Sequence, residues 1–295
     1  MRFLRRVLLL LAVAVFLAGG SIFGEGQKNS LKVFISVDME GVSGVIHWED
    51  VSRNGKDYGL FRRLMTDEAN AAVEGALAAG ASKITVRDSH GSARNILPDR
   101  LHPAARLIRD WSDTPLSMME GIDSSFDAVI FIGYHARANT PDAVLDHTMT
   151  GSISSVTLNG KPMPEAGINA WIAGSFGVPV VLVAGDRAVC EQVKELLGNI
   201  ETVVVKEGIG QAAIMLHPKK ACELIKEKTM AALSRLDTFK PYKIDPPYTM
   251  VVTFKDEERA NNARWIPGAK RVNTTSVSFT SPDFMQILRF FKFAH

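Results

Sequence analysis

The apolar run LKVFISV at residues 31–37 stops at two carboxylates, Asp38 and Glu40. Two residues apart on an extended chain, their side chains leave the same side and can reach one cation. Taken alone, Asp-x-Glu after a strand reads equally as a turn or a helix cap. The pattern recurs, however. KITVR is followed by Asp88 and His90, and DAVIFIG by Tyr134 and His135, so three successive parallel strands would deliver metal-ligand types to one edge. Open α/β sheets place their sites just beyond the carboxyl ends of their strands. Imidazole with carboxylate and no thiolate suits zinc, manganese or iron in a catalytic role, because structural zinc sites are closed and usually thiolate-rich.

Each residue also has a plain structural reading. Asp88 can be a ligand or the partner that orients a ligating His90. His135 can be a satisfied core histidine, His147 in LDHTM a loop residue, and Glu165 a carboxylate complementing a helix dipole. His47, His102, His217 and His295 have no acidic or histidine neighbours at telling spacing and read as structural. Gly208-Ile209-Gly210 lacks the remaining pattern of a dinucleotide loop and reads as a turn. Cys190 and Cys222 fall in helix-like segments away from any motif, which argues against a cysteine nucleophile and leaves free thiols or a mutual pair.

The elements that must position these residues alternate. Residues 60–80 carry apolar residues at helical spacing, with Gly80 as a stop. Strands follow at 83–88 and 127–133, and Asn159-Gly160 between extended runs predicts a tight hairpin turn. A helix opens at Glu165, then come a strand at 178–186, a helix to Leu197, a strand at 201–208 and a helix from Pro218 to Leu233. This order predicts an α/β fold, a mostly parallel sheet flanked by helices, over residues 31–236. The proline-rich texture after Asp237 predicts a smaller C-terminal strand and helix unit over 237–295, ending in an amphipathic packing or subunit-contact helix.

Residues 1–20 combine three arginines, an apolar run from Val7 to Ala18 and small residues, the pattern of an export signal. The run is shorter than the roughly 20 residues of a membrane span, so attachment to a membrane is expected only if the leader stays uncleaved as an anchor. The expected location is extracytoplasmic, periplasmic or secreted. Loss of Arg2, Arg5 and Arg6 lowers the formal charge from +2 to −1. The basic balance thus belongs to the leader, and no nucleic-acid partner is expected.

SVDMEGVSG, TDEANAA, DSHG, GYHARANTP, DHTM and EAGINAWIAG followed by VPVVLVAGD resemble, in this order, the zinc-dependent D-aminopeptidase family of bacterial dipeptide-transport operons. The resemblance covers roughly residues 31–290. It implies a dinuclear zinc site, two Zn2+ per subunit, on Asp38, Glu40, His90, His135 and Glu165, with His147 as the further catalytic residue; other divalent metals fit the same donors. Asp38 is the expected bridge between the ions, and His147 is assigned to proton transfer or direct attack. The implied substrates are short peptides, cell-wall-derived ones among them, cleaved after an N-terminal D-residue. The implied assembly is a homo-oligomeric ring, with a decamer as one form. An export signal departs from the family's cytoplasmic members. The alternatives are a dinuclear metallohydrolase of another amide or a phosphoester, and a non-catalytic exported peptide-binding protein.

Overall fold

The computed structural model describes residues 31–295, so the leader expected over 1–20 lies outside the described residues. Strand β1 (Leu31–Val37) leads through α1 (Trp48–Val51) and the long α2 (Tyr58–Ala78) to β2 (Ala81–Asp88), β3 (Ala105–Ile108) and β4 (Ala128–Tyr134). A hairpin, β5 (Ile153–Leu158) and β6 (Lys161–Pro162), precedes α3 (Glu165–Ser175), β7 (Val180–Asp186), α4 (Arg187–Leu197), β8 (Glu201–Ile209), β9 (Ala212–Met215) and α5 (Pro218–Leu233). The last elements are β10 (Tyr248–Phe254), α6 (Glu257–Ala263), β11 (Lys270–Arg271), β12 (Ser276–Ser281) and α7 (Phe284–Ala294).

Seven strands form one sheet in the order β3-β2-β1-β4-β7-β8-β9, parallel throughout except at β8–β9. Burial on both faces explains the unbroken apolar runs of β1, β4 and β7. Val33, Ile35 and Val37 pack toward α2 and α5, while Phe34 packs with Phe131, Trp171 and the second sheet. The chain leaves β1 toward β2 on one side, while β4 lies on the other. Loops from the carboxyl ends of β1 and β4 therefore diverge, the switch point where such sheets open a crevice.

The second sheet is antiparallel, in the order β11-β12-β10-β5-β6. It joins the hairpin excursion to the strands after Asp237, because β10 pairs with both β5 and β12. Asn159 and Gly160 have φ of 49° and 78°, the two positive values that a tight type I′ turn requires. Ile287, Leu288, Phe290 and Phe291 bury the apolar face of α7. Cys190 and Cys222 are both free thiols. Among the described residues, no helix is long and apolar enough to cross a membrane.

Candidate metal centre

Asp38 and Glu40 follow β1, His90 follows β2, His135 follows β4, and Glu165 is the first residue of α3. All five are buried or nearly so, an environment that carboxylates tolerate only when paired or bound to a cation. Asp38 Oδ2 lies 3.4 Å and Glu165 Oε1 3.3 Å from His135 Nε2, and Glu40 Oε1 lies 3.1 Å from His90 Nε2. His147 completes the group. Its ring stacks on that of His135 at 4.0 Å, and its Nε2 is 3.6 Å from Glu165 Oε1.

Hydrogen bonds orient both stacked rings. His135 Nδ1 donates to the Ala136 carbonyl at 3.0 Å, and His147 Nδ1 donates to the Leu145 carbonyl at 2.9 Å. Each ring thereby turns Nε2 toward the carboxylates, the tautomer that can ligate a metal or accept a proton. Asp38 Oδ2, Glu40 Oε2 and His135 Nε2 are buried without a hydrogen-bond partner. Buried polar atoms without partners that converge, two of them carboxylate oxygens, are costly unless something cationic joins them, so the donor set fits a metal ion. Asp38, Glu40 and His135, and also His135, His147 and Glu165, offer donor atoms within 4.8 Å of one another.

The charges are strongly linked. Burial, with Glu40 beside it, pushes Asp38 up to about 7. Burial disfavours the charged form of His90, yet the Glu40 carboxylate outweighs it and raises the ring to about 9. Burial likewise opposes charge on His135, but Glu165 and Asp38 raise it well above its usual value. His147 goes the other way. Burial and the neighbouring His135 lower it, which favours a neutral ring able to accept a proton.

Asp88 does not touch His90. Its carboxylate accepts the Asn95 and Ile96 backbone N–H groups at 2.6 and 2.7 Å and the Asn95 amide at 2.7 Å, and Asn95 in turn donates to the His90 carbonyl at 2.6 Å. Asp88 thus acts on His90 through Asn95. The exits of β1 and β4 are joined by Asp38 N–H to Ile132 O at 2.8 Å and Gly41 N–H to Gly133 O at 2.7 Å. Gly133 has φ of 71°, and a Cβ there would lie 2.2 Å from the Asp38 carbonyl oxygen. Only glycine permits that approach.

The Peptidase_M55 model, described as D-aminopeptidase, matches residues 31–293. The chain belongs to that family. It is 37% identical over 258 residues to the D-aminopeptidase of Bacillus subtilis (strain 168), covering 87% of this chain and 93% of the relative. Its fold matches the solved structure of the Zn-dependent D-aminopeptidase DppA from Bacillus subtilis, described as a self-compartmentalizing protease. That match has a TM-score of 0.85 at 35% identity and covers 90% of this chain and 98% of that one.

Around this D-aminopeptidase-family centre the structure adds residues whose roles sequence reading missed. Lys206 on β8, 2% exposed, donates from Nζ to the carbonyls of Glu40, Val42 (3.0 Å) and Val45 (2.6 Å), fixing the loop that carries Glu40. Glu68 on α2 accepts the Ser43 N–H of the same loop at 2.8 Å. A lysine inside the apolar strand VVVKEG was the available signal. His47, His102 and His217 accept backbone N–H groups, as structural histidines do. His295 is different: with Lys292 of α7, Trp48 and Trp111 it lines the cavity onto which Asp38, Glu40, His90, His147 and Glu165 open. His135 is not among the lining residues and is buried.

Proposed function

We propose that the protein is an exported zinc-dependent D-aminopeptidase, in which Asp38, Glu40, His90, His135 and Glu165 would hold two zinc ions per chain. The convergence of three unpartnered buried atoms, Asp38 Oδ2, Glu40 Oε2 and His135 Nε2, carries the metal-dependent part of this reading. Bound zinc would supply Lewis-acid polarisation of the scissile carbonyl and lower the pKa of the attacking water.

The chain supplies the rest. Hydrolysis forms a carbon–oxygen bond from water and breaks the amide carbon–nitrogen bond. The proton leaving the water passes to the departing amine. His147 is the group poised to carry it: its Nδ1 is engaged by Leu145, its Nε2 faces the carboxylates, and its lowered pKa keeps it neutral at the start. Glu165 is held by the Met149 N–H at 2.6 Å, so its carboxylate cannot swing out of the site.

Export rests on the leader pattern of residues 1–20, and assembly into a homo-oligomer on the self-compartmentalizing relative. The decisive experiment combines metal analysis of the purified protein with turnover of D- and L-alanyl peptides and of phosphoesters. The reading expects two zinc ions per chain and faster release of D-alanine than of L-alanine. A metal-free protein, an L-preference or phosphoester turnover alone would overturn it. Fractionation should recover a chain shortened near Gly20 outside the cytoplasm; an intact cytoplasmic chain would remove the export claim.

A further inference from the structure

Resting on the peptidase reading, we propose that Lys292 forms a carboxylate-binding subsite that takes the C-terminal carboxylate of the substrate, so that the enzyme selects di- and tripeptides with a free C terminus. The cavity holds about 550 Å³. A sphere of that volume is about 10 Å across, and two to three extended residues span roughly 7 to 11 Å. A whole di- or tripeptide therefore fills the cavity that Asp38 and Glu165 line, and its C-terminal carboxylate stays within it. Lysine 292 lines this cavity, and apart from histidines it is the one cationic side chain among the lining residues.

Its present partner is a weak competitor. Lys292 Nζ is 3.1 Å from Asp113 Oδ1, but the Asp113 side chain is 82% exposed and that of Lys292 only 28%. An ion pair to so exposed a carboxylate contributes little, and Asp113 is resolvated at small cost when a substrate carboxylate takes the ammonium. The wall carrying Lys292 is firm, since Phe290 and Phe291, just before it in α7, are buried in the core shared with the second sheet. Trp111, which lines the same cavity, is held by its indole N–H on the Gly91 carbonyl at 2.8 Å and by the Arg87 guanidinium 4.4 Å over its ring. A charged hydrogen bond on a pre-positioned lysine discriminates a free acid from its amide.

The test compares D-alanyl-D-alanine with its C-terminal amide on the zinc-loaded full chain. The wild type should favour the free acid in kcat/KM by about ten- to a hundredfold, the scale of one charge-assisted hydrogen bond, through KM rather than kcat. Lys292→Met should bring that ratio near one, Lys292→Arg should keep most of it, and Lys292→Glu should invert it. Because the readout is a ratio on one protein, partial loss of folded enzyme does not alter it. Equal use of acid and amide by the wild type, or a ratio unmoved by Lys292→Met and Lys292→Glu, overturns the subsite while leaving the peptidase reading intact. Cleavage of neither peptide overturns both.

Discussion

Replacing Lys206 with methionine keeps the length and apolar stem of the side chain and deletes its three donors. The carbonyls of Glu40, Val42 and Val45 lose their shared partner. At about 2 kcal/mol for each buried acceptor left unpaired, the gross cost is about 6 kcal/mol. Part returns, because burial already penalises the ammonium: Lys206 is lowered from 10.5 to about 8, equivalent to roughly 3 kcal/mol against its charged form. The net loss is then about 3 kcal/mol, a fall in Tm of roughly 6 to 12 °C for a domain of this size. Release of the loop carrying Glu40 should also weaken zinc binding by about 10- to 100-fold, the usual effect of removing a group that orients a ligand. Thermal denaturation and zinc competition against a chelator measure the two effects. Val205→Ala, which opens the core on the same strand without touching those carbonyls, should lower Tm and leave zinc affinity unchanged. A Lys206→Met protein with wild-type Tm and wild-type zinc affinity would refute the assignment.

His147→Ala should keep its zinc and lose about 10²- to 10⁴-fold in kcat, the range of a proton-transfer group; metal analysis decides, since loss of zinc would make His147 a ligand. His90 stands at about 9 and His135 well above its usual value, so the chelator-stripped site is protonated at neutral pH, and zinc must displace those protons. Affinity should therefore rise with pH up to about 9, and calorimetry in buffers of different ionisation enthalpy should show proton release; a pH-independent affinity with no release would contradict the geometry. Gly133→Ala places a Cβ against the Asp38 carbonyl at a positive φ and should destabilise the fold by about 2 kcal/mol or more, with loss of zinc. Gly59→Ala, with open space around it in α2, should instead stabilise the fold slightly, by up to about 1 kcal/mol, in the same denaturation assay.

The convergence of the residues proposed as ligands is legible because parallel strands buried on both faces write themselves as apolar runs, and the residues that follow such runs share one edge of the sheet. Asp38, Glu40, His90 and His135 obey that rule without any knowledge of strand order. Strand order is what the sequence withholds. Lys206 could be seen as a charge within an apolar strand, but its acceptors lie on the loop after β1, with β4 and β7 between the two strands in the sheet. The short strands β3, β9 and β11 carry too few residues to show a period, and their pairing is decided by neighbours distant in sequence. The place of His295 on the cavity wall is hidden for the same reason, since nothing near it in the chain is acidic, whereas the cavity it lines is.

These two kinds of residue also reach the site by different routes. The metal-ligand types come on loops of the parallel sheet and the start of α3, held by backbone bonds between the exits of β1 and β4. Lys292 comes on α7 and His295 just past its end, and α7 packs against β10 and β12 of the antiparallel sheet. A change in α7 can therefore alter which peptide fits while leaving the proposed cation ligands and His147 in place. The antiparallel sheet, built from the hairpin before α3 and the strands after Asp237, is in this reading the part of the fold through which substrate preference can vary at constant chemistry.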